Sequence, residues 1–448
     1  MRTKTVTDFL NNEVKEYAID ILENRCIPSV IDSFKPSQRK VVYVAEKTWK
    51  TGKEKSMKVF QLTGKAALES YYHHSNSSMD ALITVMGQTF KNNLPILEGV
   101  GQYGSLRSPV AGAPRYIGTK LHSNFRLVYK DFELLENQID EGVVVEPKYY
   151  LPIIPVVIVN SSMGIGMGYA SNILGRNPKD ITQACIDYLN GKKIKELKPW
   201  LSEFSGTYTR DKENPNKWYS KGIYEIVNTT TVHVLELPPK WTFEAYESYL
   251  DNLIENKKII KEYDNNSASS VNYTLKFKKE VLTNLIEKGK LEDILKINDS
   301  STENLTTLDE KGKLLIFDCV EDIIKYFVDF RLTYYQKRKY YLLDKYNKEL
   351  KDLSFRAKFI KSIIDKKLKV NNIPKCEIIQ WLEDNKFDKI DDSYNYLLNM
   401  SIYSLTKEKY EELLNKAKEK KSQIDEVYTW KIKDMYLKDL NELKKKLK

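Results

Sequence analysis

Apolar positions in the first 150 residues recur at helical spacing and then give way to a glycine-rich stretch. In residues 35–45, Pro36 is followed by apolar side chains on one face, which predicts a helix with proline at its first position. A second helix is predicted at about 60–72. A third should follow the polar cluster Ser75–Ser78, which suits an N-cap. The loop after these helices is compatible with a winged helix-turn-helix, but the pattern alone favours no such form over any other small helical domain. Its glycines are Gly99, Gly101, Gly104 and Gly112.

The middle of the chain changes from helical spacing to the two-residue alternation of β-strands. Apolar and polar residues alternate in Ile223–Val227, Thr230–Leu237 and Val271–Phe277. Helical spacing returns in Thr242–Ile254, between the second and third of these strands. The pattern therefore predicts an α+β domain over residues 151–318.

A long amphipathic helix is predicted from Val320 to about Lys369. At 1.5 Å per residue, a helix of roughly fifty residues spans about 75 Å, which exceeds the width of a globular core. A second apolar seam runs through residues 407–448, and residues 371–403 separate the two. We therefore predict an antiparallel coiled-coil stalk with a small helical knob at 371–403. The alternative is two ordinary amphipathic helices in a bundle.

The length of 448 residues fits about three domains rather than one compact core. The patterns place these domains at residues 1–150, 151–318 and 319–448. The predicted fold class is a multidomain, α-rich α+β protein.

Charge and composition suggest a polyanionic partner without proving one. The chain carries 72 Lys and Arg against 62 Asp and Glu, a net charge of +10, together with 30 tyrosines. An AT-rich genome would produce a similar composition, so both explanations stay open at this point. No charge-free stretch approaches the 18 apolar residues of a membrane span, and the first ten residues contain no apolar signal core. The four cysteines form neither a zinc cluster nor a disulfide framework, so we expect a reducing, cytoplasmic location.

Two glycine-rich motifs resemble nucleotide-binding loops but lack the required context. Gly99–Gly104 matches G-x-G-x-x-G, yet Pro109 and Pro114 follow it, so the helix of a dinucleotide-binding fold cannot begin there. Gly164–Gly168 lacks the Lys and Ser/Thr of a P-loop. There is no Asp-x-Asp sequence, and only His73 and His74 of the four histidines are adjacent. We therefore predict neither an ATP site nor a metal site in this chain.

The segment Ala113–Ile117 contains a tyrosine beside an arginine, a pair able to carry phosphodiester chemistry. A tyrosine oxygen can attack a phosphodiester and form a phosphotyrosyl ester, which conserves the energy of the bond for resealing. The forked guanidinium of Arg115 is suited to phosphate oxygens and to the charge that develops in the transition state. An Arg-Tyr pair is common, however, so this motif alone leaves the function of Tyr116 open.

Five segments, taken together, resemble the breakage–reunion part of type IIA DNA topoisomerases. The likeness extends over nearly the whole chain and is greatest to the split enzymes: the A subunits of gyrase and topoisomerase IV, and above all the T-even phage subunit that carries the tyrosine. It implies a winged-helix DNA-cleavage domain, an α+β tower, and a coiled coil that ends in a small helical C-gate. The segments are Ile27–Lys40, Tyr72–His74, Gly101–Gly104 with Pro114–Ile117, Val159–Gly168, and Met400–Glu408.

The resemblance implies a role for three catalytic residues. Tyr116 would be the nucleophile, leaving a 5′-phosphotyrosyl link and a free 3′-hydroxyl. Arg115 would stabilise the transition state, and His74 would assist at the phosphate. Two residues depart from the family pattern, because Ser33 and Ser75 stand where the family usually has glycine. Both departures predict a change in the local loop.

The resemblance also implies a set of DNA-binding residues. Basic side chains would hold the DNA backbone, two serines would open the helix expected in the major groove, and one isoleucine would wedge between base pairs. The alternatives are a solvated basic helix face and a core isoleucine. The implied residues are Lys35, Arg39, Lys40, Lys65, Ser77, Ser78 and Ile165.

By the same likeness the chain would act with other molecules. Double-stranded DNA would be the substrate, and the chain would form a homodimer within a heteromeric complex in the cytoplasm of a bacterium or a phage-infected host. Mg²⁺ and ATP would be bound by a partner subunit with ATPase and Toprim domains, and no membrane is implied. The alternative function is an architectural protein that binds and bends DNA without cleaving it. A tyrosine recombinase is a weaker third hypothesis, because it would need several dispersed Arg and His donors around the tyrosine.

Overall fold

The computed structural model describes residues 5–268, 270–390 and 392–447. The chain separates into two compact units. The first comprises the residues up to Arg331 and those from Leu437 onward, and the second is Leu332–Tyr436. The protein is a mixed α+β fold, as predicted. The division into units places the first two predicted domains together, and the three-domain boundaries stay a prediction.

The chain begins with a run of helical turns that is largely exposed. Two α-helices, α1 (Val6–Phe9) and α2 (Lys15–Ile21), alternate with π-helical turns at Leu10–Val14 and Leu22–Cys26. Leu22 is the buried residue of this run.

Three helices and a small antiparallel sheet follow, as the spacing of apolar residues predicts. Pro36 occupies the first helical position of α3, and the Gln38 side chain accepts a hydrogen bond from the Lys35 backbone N–H at 2.9 Å. The Ser75 hydroxyl caps α5 by accepting from Ser78 N–H. The sheet has the order β1-β3-β2. The elements are α3 (Pro36–Thr48), β1 (Met57–Lys58), α4 (Val59–Glu69), α5 (Asn76–Gly87), β2 (Leu97–Val100) and β3 (Gly118–Leu121).

A stretch of short strands and turns continues the first unit. It contains three two-stranded antiparallel pairs, β4 with β7, β5 with β6, and β8 with β9. Single 3₁₀ turns lie at Phe132–Leu134 and Val156–Ile158. The other elements are α6 (Ser123–Val128), β4 (Tyr129–Lys130), β5 (Asn137–Asp140), β6 (Val143–Pro147), β7 (Leu151–Pro152), β8 (Ser162–Ile165), β9 (Ala170–Ile173) and α7 (Pro178–Leu189).

The predicted α+β region is built on two antiparallel sheets, ordered β10-β11-β16 and β12-β13-β15-β14. Helices α8, α9 and α10 cover the second sheet with a core of aliphatic and tyrosine side chains. All three strands expected from the alternation are present. The elements are β10 (Thr207–Arg210), β11 (Lys217–Lys221), β12 (Ile223–Ile226), β13 (Thr231–Glu236), α8 (Phe243–Glu255), β14 (Ile260–Asn265), β15 (Tyr273–Phe277), α9 (Val281–Glu287), α10 (Leu291–Leu295), β16 (Asn298–Thr302), β17 (Thr306–Leu308) and β18 (Leu314–Ile316).

Buried ion pairs join segments that are distant in sequence within the first unit. Arg107 pairs with Glu236 at 2.5 Å, and Arg176 pairs with Glu303 at 2.6 Å. Both pairs are almost fully buried. Removing one partner of such a pair would leave an uncompensated buried charge, which is strongly destabilising.

Long helices dominate the end of the chain. In the second unit, Leu343 of α11 contacts Ile424 and Val427 of α14, whereas Ala357 and Ile360 contact Leu413. Later positions of one helix thus meet earlier positions of the other, so the two helices are antiparallel. Residues between them form a small helical core. The elements are α11 (Val320–Ile364), α12 (Lys375–Asp384), α13 (Asn395–Leu398), a 3₁₀ turn at Ile402–Ser404, α14 (Lys407–Thr429) and α15 (Ile432–Lys446).

The C-terminal apolar seam is interrupted, which its sequence pattern does not indicate. Helix α14 ends at Thr429, and Trp430 is extended, with φ −64° and ψ 128°. The Lys339 ammonium group donates to the carbonyls of Tyr428 and Trp430 at 2.9 and 2.7 Å. These contacts satisfy two carbonyls at the helix end, which would otherwise lack a partner within the helix.

The two serines that replace family glycines differ in conformation, which predicts opposite effects of Ser→Gly substitutions. Ser33 has φ 67°, a left-handed conformation that costs an L-residue about 1–2 kcal/mol. Ser75 has φ −64° and caps α5. We expect Ser33→Gly to raise the free energy of unfolding by about 0.5–1 kcal/mol, since glycine is also more flexible when unfolded. Ser75→Gly should lower it by a few tenths. Thermal unfolding of both variants checks this, and destabilisation by Ser33→Gly would contradict it.

Candidate functional site

The Tyr116 side chain projects from a turn whose backbone is held on both sides. Tyr116 N–H donates to the Ala113 carbonyl at 2.8 Å, which closes the turn before the buried Ile117. The Lys58 ammonium group donates to the Tyr116 carbonyl at 2.7 Å, and Val59 N–H donates to the Ile117 carbonyl at 3.1 Å. The Tyr116 side chain is nevertheless 72% exposed. The phenol is therefore accessible, while its backbone is fixed to β1 and to the start of α4.

A buried tyrosine supports this turn from below. The Tyr103 ring fits between two glycines, because a Cβ atom at Gly87 or Gly99 would lie 2.7 Å from a ring carbon. The Tyr103 hydroxyl donates to the Gly118 carbonyl at 2.8 Å, immediately after the turn. Burial raises the pKa of Tyr103 to about 12. The G-x-G-x-x-G motif thus makes room for an aromatic ring, and no helix follows it, as predicted.

Arg115 and His74 are both exposed, but only Arg115, the preceding residue in the sequence, lies beside Tyr116. Helix α4 begins beside the Tyr116 turn, and its eleven residues span about 16 Å. His74 lies near the other end of α4. Its ring contacts that of Tyr72 at 5.2 Å between centroids, and Tyr72 N–H donates to Ala67 in the last turns of the helix. One chain therefore holds His74 and Tyr116 at opposite ends of one helix.

Arg39 lies inside the protein instead of on a DNA-facing surface. Its Nε and Nη2 atoms donate to the two carboxylate oxygens of Asp32 at 2.8 and 3.1 Å, and Nη2 also donates to the Phe34 carbonyl. Asp32 is fully buried and needs a cation, so the guanidinium is committed to it. The prediction that Arg39 contacts the DNA backbone is not supported by this arrangement.

The other predicted basic contacts also have internal partners. Lys40 donates to the Ser70 carbonyl and lies 3.0 Å from the Glu146 carboxylate. Lys65 donates to the Thr48 hydroxyl at 2.8 Å and is partly exposed. To bind a phosphate, each lysine would have to redirect at least one of its N–H donors from these partners.

The hairpin β8–β9 presents Ile165 to solvent. Ile165 is 77% exposed, and Met163 on the same face is 67% exposed. Gly164 faces inward, where a Cβ atom would overlap the Cys26 carbonyl, and a Cβ atom at Gly166 would overlap the Leu22 side chain. Ile165 is therefore an exposed residue of a seated hairpin and not a core residue.

Lys35 lies beneath this hairpin. Its ammonium group donates to the Met163 carbonyl at 3.0 Å, and the Cys26 thiol donates to the Ile165 carbonyl at 3.0 Å. Burial lowers the pKa of Lys35, an effect that its Coulombic interaction with Cys26 partly offsets.

Ser77 and Ser78 are exposed at the beginning of α5, as predicted. Their hydroxyls lie 3.2 and 2.8 Å from the Ser75 hydroxyl. The three side chains form a polar cluster at the first turn of the helix, where Ser78 N–H donates to Ser75. Such a helix start suits a phosphate group.

Sequence reasoning missed the residues that support the site. Lys58 and Tyr103 position the Tyr116 turn, and Cys26 contacts the hairpin. The pairing of Gly99 with an aromatic residue four positions later could have indicated Tyr103. Nothing in the local sequence marks Lys58 or Cys26, since their partners are 58 and 139 positions away along the chain.

The described residues do not fit a metal site or a membrane span. Among them, no group of three His, Cys, Asp or Glu side chains is placed to hold a metal ion. Within the same residues, no helix combines the length and apolar character needed to cross a membrane.

Comparison with known proteins gives matches along nearly the entire chain. The family model for the A subunit of DNA gyrase/topoisomerase IV matches residues 25–443. The DNA topoisomerase medium subunit of Enterobacteria phage T4 is 34% identical over 454 residues, which cover 99% of this chain and 100% of that protein. DNA topoisomerase 2 of Plasmodium falciparum is 34% identical over 483 residues, covering 97% of this chain and 34% of that protein. The chain thus spans about a third of the length of this relative.

A solved structure agrees with these sequence matches. The crystal structure of the Plasmodium falciparum topoisomerase II DNA-binding, cleavage and re-ligation domain superposes with a TM-score of 0.87 and 33% sequence identity. The match covers 98% of this chain and 64% of that chain. The resemblance inferred from the five sequence segments is confirmed, and the chain belongs to the family of DNA gyrase and topoisomerase IV A subunits.

Proposed function

We propose that this protein is the DNA-cleavage and religation subunit of an ATP-dependent type IIA DNA topoisomerase. The observation that carries the proposal is the exposed Tyr116 phenol, beside Arg115, on a turn whose backbone is fixed by Lys58, Val59 and the support of Tyr103. A rigid backbone with an accessible side chain lets a nucleophile meet a bound phosphate in a defined direction.

In the proposed reaction the Tyr116 oxygen attacks a backbone phosphorus atom of DNA. The new bond is a 5′-phosphotyrosyl ester, and the bond from phosphorus to the 3′-oxygen breaks. The phenol proton passes to solvent or a neighbouring base, and the departing oxygen takes up a proton to become a 3′-hydroxyl. Arg115 donates to the phosphate oxygens as negative charge develops. The reverse attack by the 3′-hydroxyl reseals the strand and releases the tyrosine.

The positions of the catalytic residues support a homodimer as part of this proposal. Within one chain His74 lies at the opposite end of α4 from Tyr116, so these two residues would not meet at one phosphate. Two copies facing one duplex would let Tyr116 of each cut one strand, with His74 assisting at a phosphate approached by the other copy. A second duplex would then pass through the break.

Several of the predicted elements and DNA-binding residues find roles in the same scheme. Helices α3–α5 with β1–β3 would act as the winged helix, and the start of α5 at Ser77 and Ser78 would approach DNA phosphates. Ile165 would wedge between base pairs. The α+β region would be the tower, and α11 with α14 would form the coiled coil that ends in the C-gate.

A partner subunit would supply the functions for which the described residues have no site. It would carry the ATPase and Toprim domains and bind ATP and Mg²⁺, in the cytoplasm of a bacterium or of a phage-infected host. A neighbouring open reading frame encoding both domains would support this arrangement.

This scheme predicts that the chain alone binds DNA without relaxing it. Purified protein, Mg²⁺ and ATP should leave supercoiled plasmid unchanged on a gel, because no group in the described residues is placed to hold the metal. Addition of the partner subunit should produce ATP-dependent relaxation. Robust relaxation by this chain alone would contradict the split-enzyme proposal.

An architectural protein that bends DNA is the alternative, and the exposed Ile165 hairpin is the observation that favours it. Denaturing the reconstituted complex on labelled DNA separates the two functions. Only the enzyme leaves protein covalently attached to DNA, and the attachment should map to Tyr116.

A further inference from the structure

The β8–β9 hairpin is too small to be rigid without support. Each of its strands has four residues, and an isolated two-stranded hairpin is marginally stable in water. Its second strand is anchored at the base, because Asn172 and Asn304 exchange two backbone hydrogen bonds of 2.9 Å. The strand that carries Ile165 is the first one, and its outer half lies beyond this anchor.

Two side chains from distant segments bind the backbone of that first strand. The Lys35 ammonium group donates to the Met163 carbonyl, and the Cys26 thiol donates to the Ile165 carbonyl, both at 3.0 Å. Gly164 lies between these carbonyls and packs directly on the Cys26 backbone. The outward face of the same strand carries Met163 and Ile165. The inward face therefore rests on Cys26 and Leu22, and Lys35 holds the strand through the Met163 carbonyl. The outward face is left for a ligand.

We propose that Lys35 is a positioning residue that, with Cys26, holds the hairpin backbone beneath Ile165, and that it is not a contact to the DNA backbone. The proposal rests on the proposed function, in which Ile165 enters the DNA base stack, and it names the residues that support Ile165. A side chain that enters a base stack is pushed back by the bases it separates. A charged hydrogen bond to the backbone of the strand that carries this side chain resists that displacement.

The position of the Lys35 ammonium group agrees with this role. Lys35 immediately precedes α3, whose first residue Pro36 fixes the backbone direction. Its side chain is partly buried and its described hydrogen bond is to the hairpin. A lysine that binds a DNA phosphate would instead be expected to extend its side chain into solvent, where the ammonium group can reach the phosphate.

Hydrogen exchange of the protein without DNA tests the support directly. Lys35→Met keeps the length of the side chain and removes the donor. We expect the amides of residues 162–173 to exchange about tenfold faster in Lys35→Met, because loss of a hydrogen bond from a charged group loosens the strand. Cys26→Ala should produce a smaller increase. Lys148→Met is the matched control, since Lys148 is exposed and pairs with Glu136 away from the hairpin. Unchanged exchange in both Lys35→Met and Cys26→Ala would overturn the proposal.

Binding and bending of a short duplex provide the second measurement. End-to-end fluorescence transfer should show that Ile165→Ala and Lys35→Met both reduce the bend severalfold. The slope of log affinity against log salt should stay the same for Lys35→Met. A fall of about 0.9 would show that Lys35 contacts a phosphate and would overturn the proposal.

The two proposals fail in different ways. Retention of the bend in Lys35→Met with loss in Ile165→Ala overturns the role of Lys35 alone. If Ile165→Ala retains the bend, both the insertion of Ile165 between base pairs and the supporting role of Lys35 are overturned. Neither result affects covalent capture of DNA by Tyr116, which tests the cleavage function separately.

Discussion

Tyr116→Phe should abolish covalent attachment of DNA in the complex with the partner subunit. The substitution removes the oxygen that would attack phosphorus and leaves the ring, so DNA binding without cleavage should persist. The turn should also persist, because Lys58 and Val59 hold it through backbone groups that the substitution does not alter. Denaturing gels of end-labelled DNA measure the covalent product, and filter binding measures affinity. The amount of covalent product should fall below the detection limit, while the affinity for DNA should change by less than about threefold.

Tyr103→Phe is the matched control for this experiment. Tyr103 belongs to the same loop, but it is buried, its hydroxyl is bonded to the Gly118 carbonyl, and burial raises its pKa to about 12. Its loss should weaken the support of the turn modestly and leave covalent capture intact. Adducts that persist in Tyr116→Phe would mean that another of the 30 tyrosines is the nucleophile.

Arg115→Lys should lower the rate of DNA cleavage by about 10²-fold or more. Lysine keeps the positive charge but loses the planar fork that can donate two hydrogen bonds to one phosphate. Because the charge is kept, the salt dependence of DNA binding should stay unchanged. Single-turnover cleavage in the reconstituted complex, followed by denaturation at set times, measures the rate.

Two further variants test whether Arg115 acts through its charge or its planar fork, and whether His74 acts in the same step. Arg115→Ala should cleave still more slowly, and it should also reduce the salt slope if the guanidinium contacts phosphate in the bound state. His74→Ala tests whether the histidine near the far end of α4 serves the same step. Normal cleavage by Arg115→Lys would show that charge alone is sufficient at this position and would remove the transition-state role of the fork.

Local patterns determined much of the secondary structure. Pro36 and the apolar residues after it predicted α3, and the polar cluster at Ser75 predicted the start of α5. The two-residue alternation predicted β12, β13 and β15, because each strand buries one face and leaves the other polar. The long helix from Val320 was predicted by a repeating apolar face. In all of these the signal lies within a few residues of the element it predicts.

Motifs in the sequence also identified the family, since short segments kept their order and spacing along the chain. They marked Tyr116, Arg115 and Ile165, whose side chains are exposed in the structure. Their catalytic and DNA-binding roles are proposals, which covalent capture and bending of DNA test. Exposure is consistent with those roles because each would have to reach DNA.

The tertiary structure alone decided which charged and polar groups already have hydrogen-bond or ion-pair partners within the protein. Arg39 and Lys35 look alike in sequence, as basic residues around the first turn of one helix. The fold buries Arg39 against Asp32 and directs Lys35 to a carbonyl 128 positions away. It likewise places His74 and Tyr116 at opposite ends of α4. It also ends α14 at Thr429, where Lys339 donates to the carbonyls of Tyr428 and Trp430. These outcomes depend on partners that are distant in sequence, and a buried group must find such a partner because water is no longer available to it.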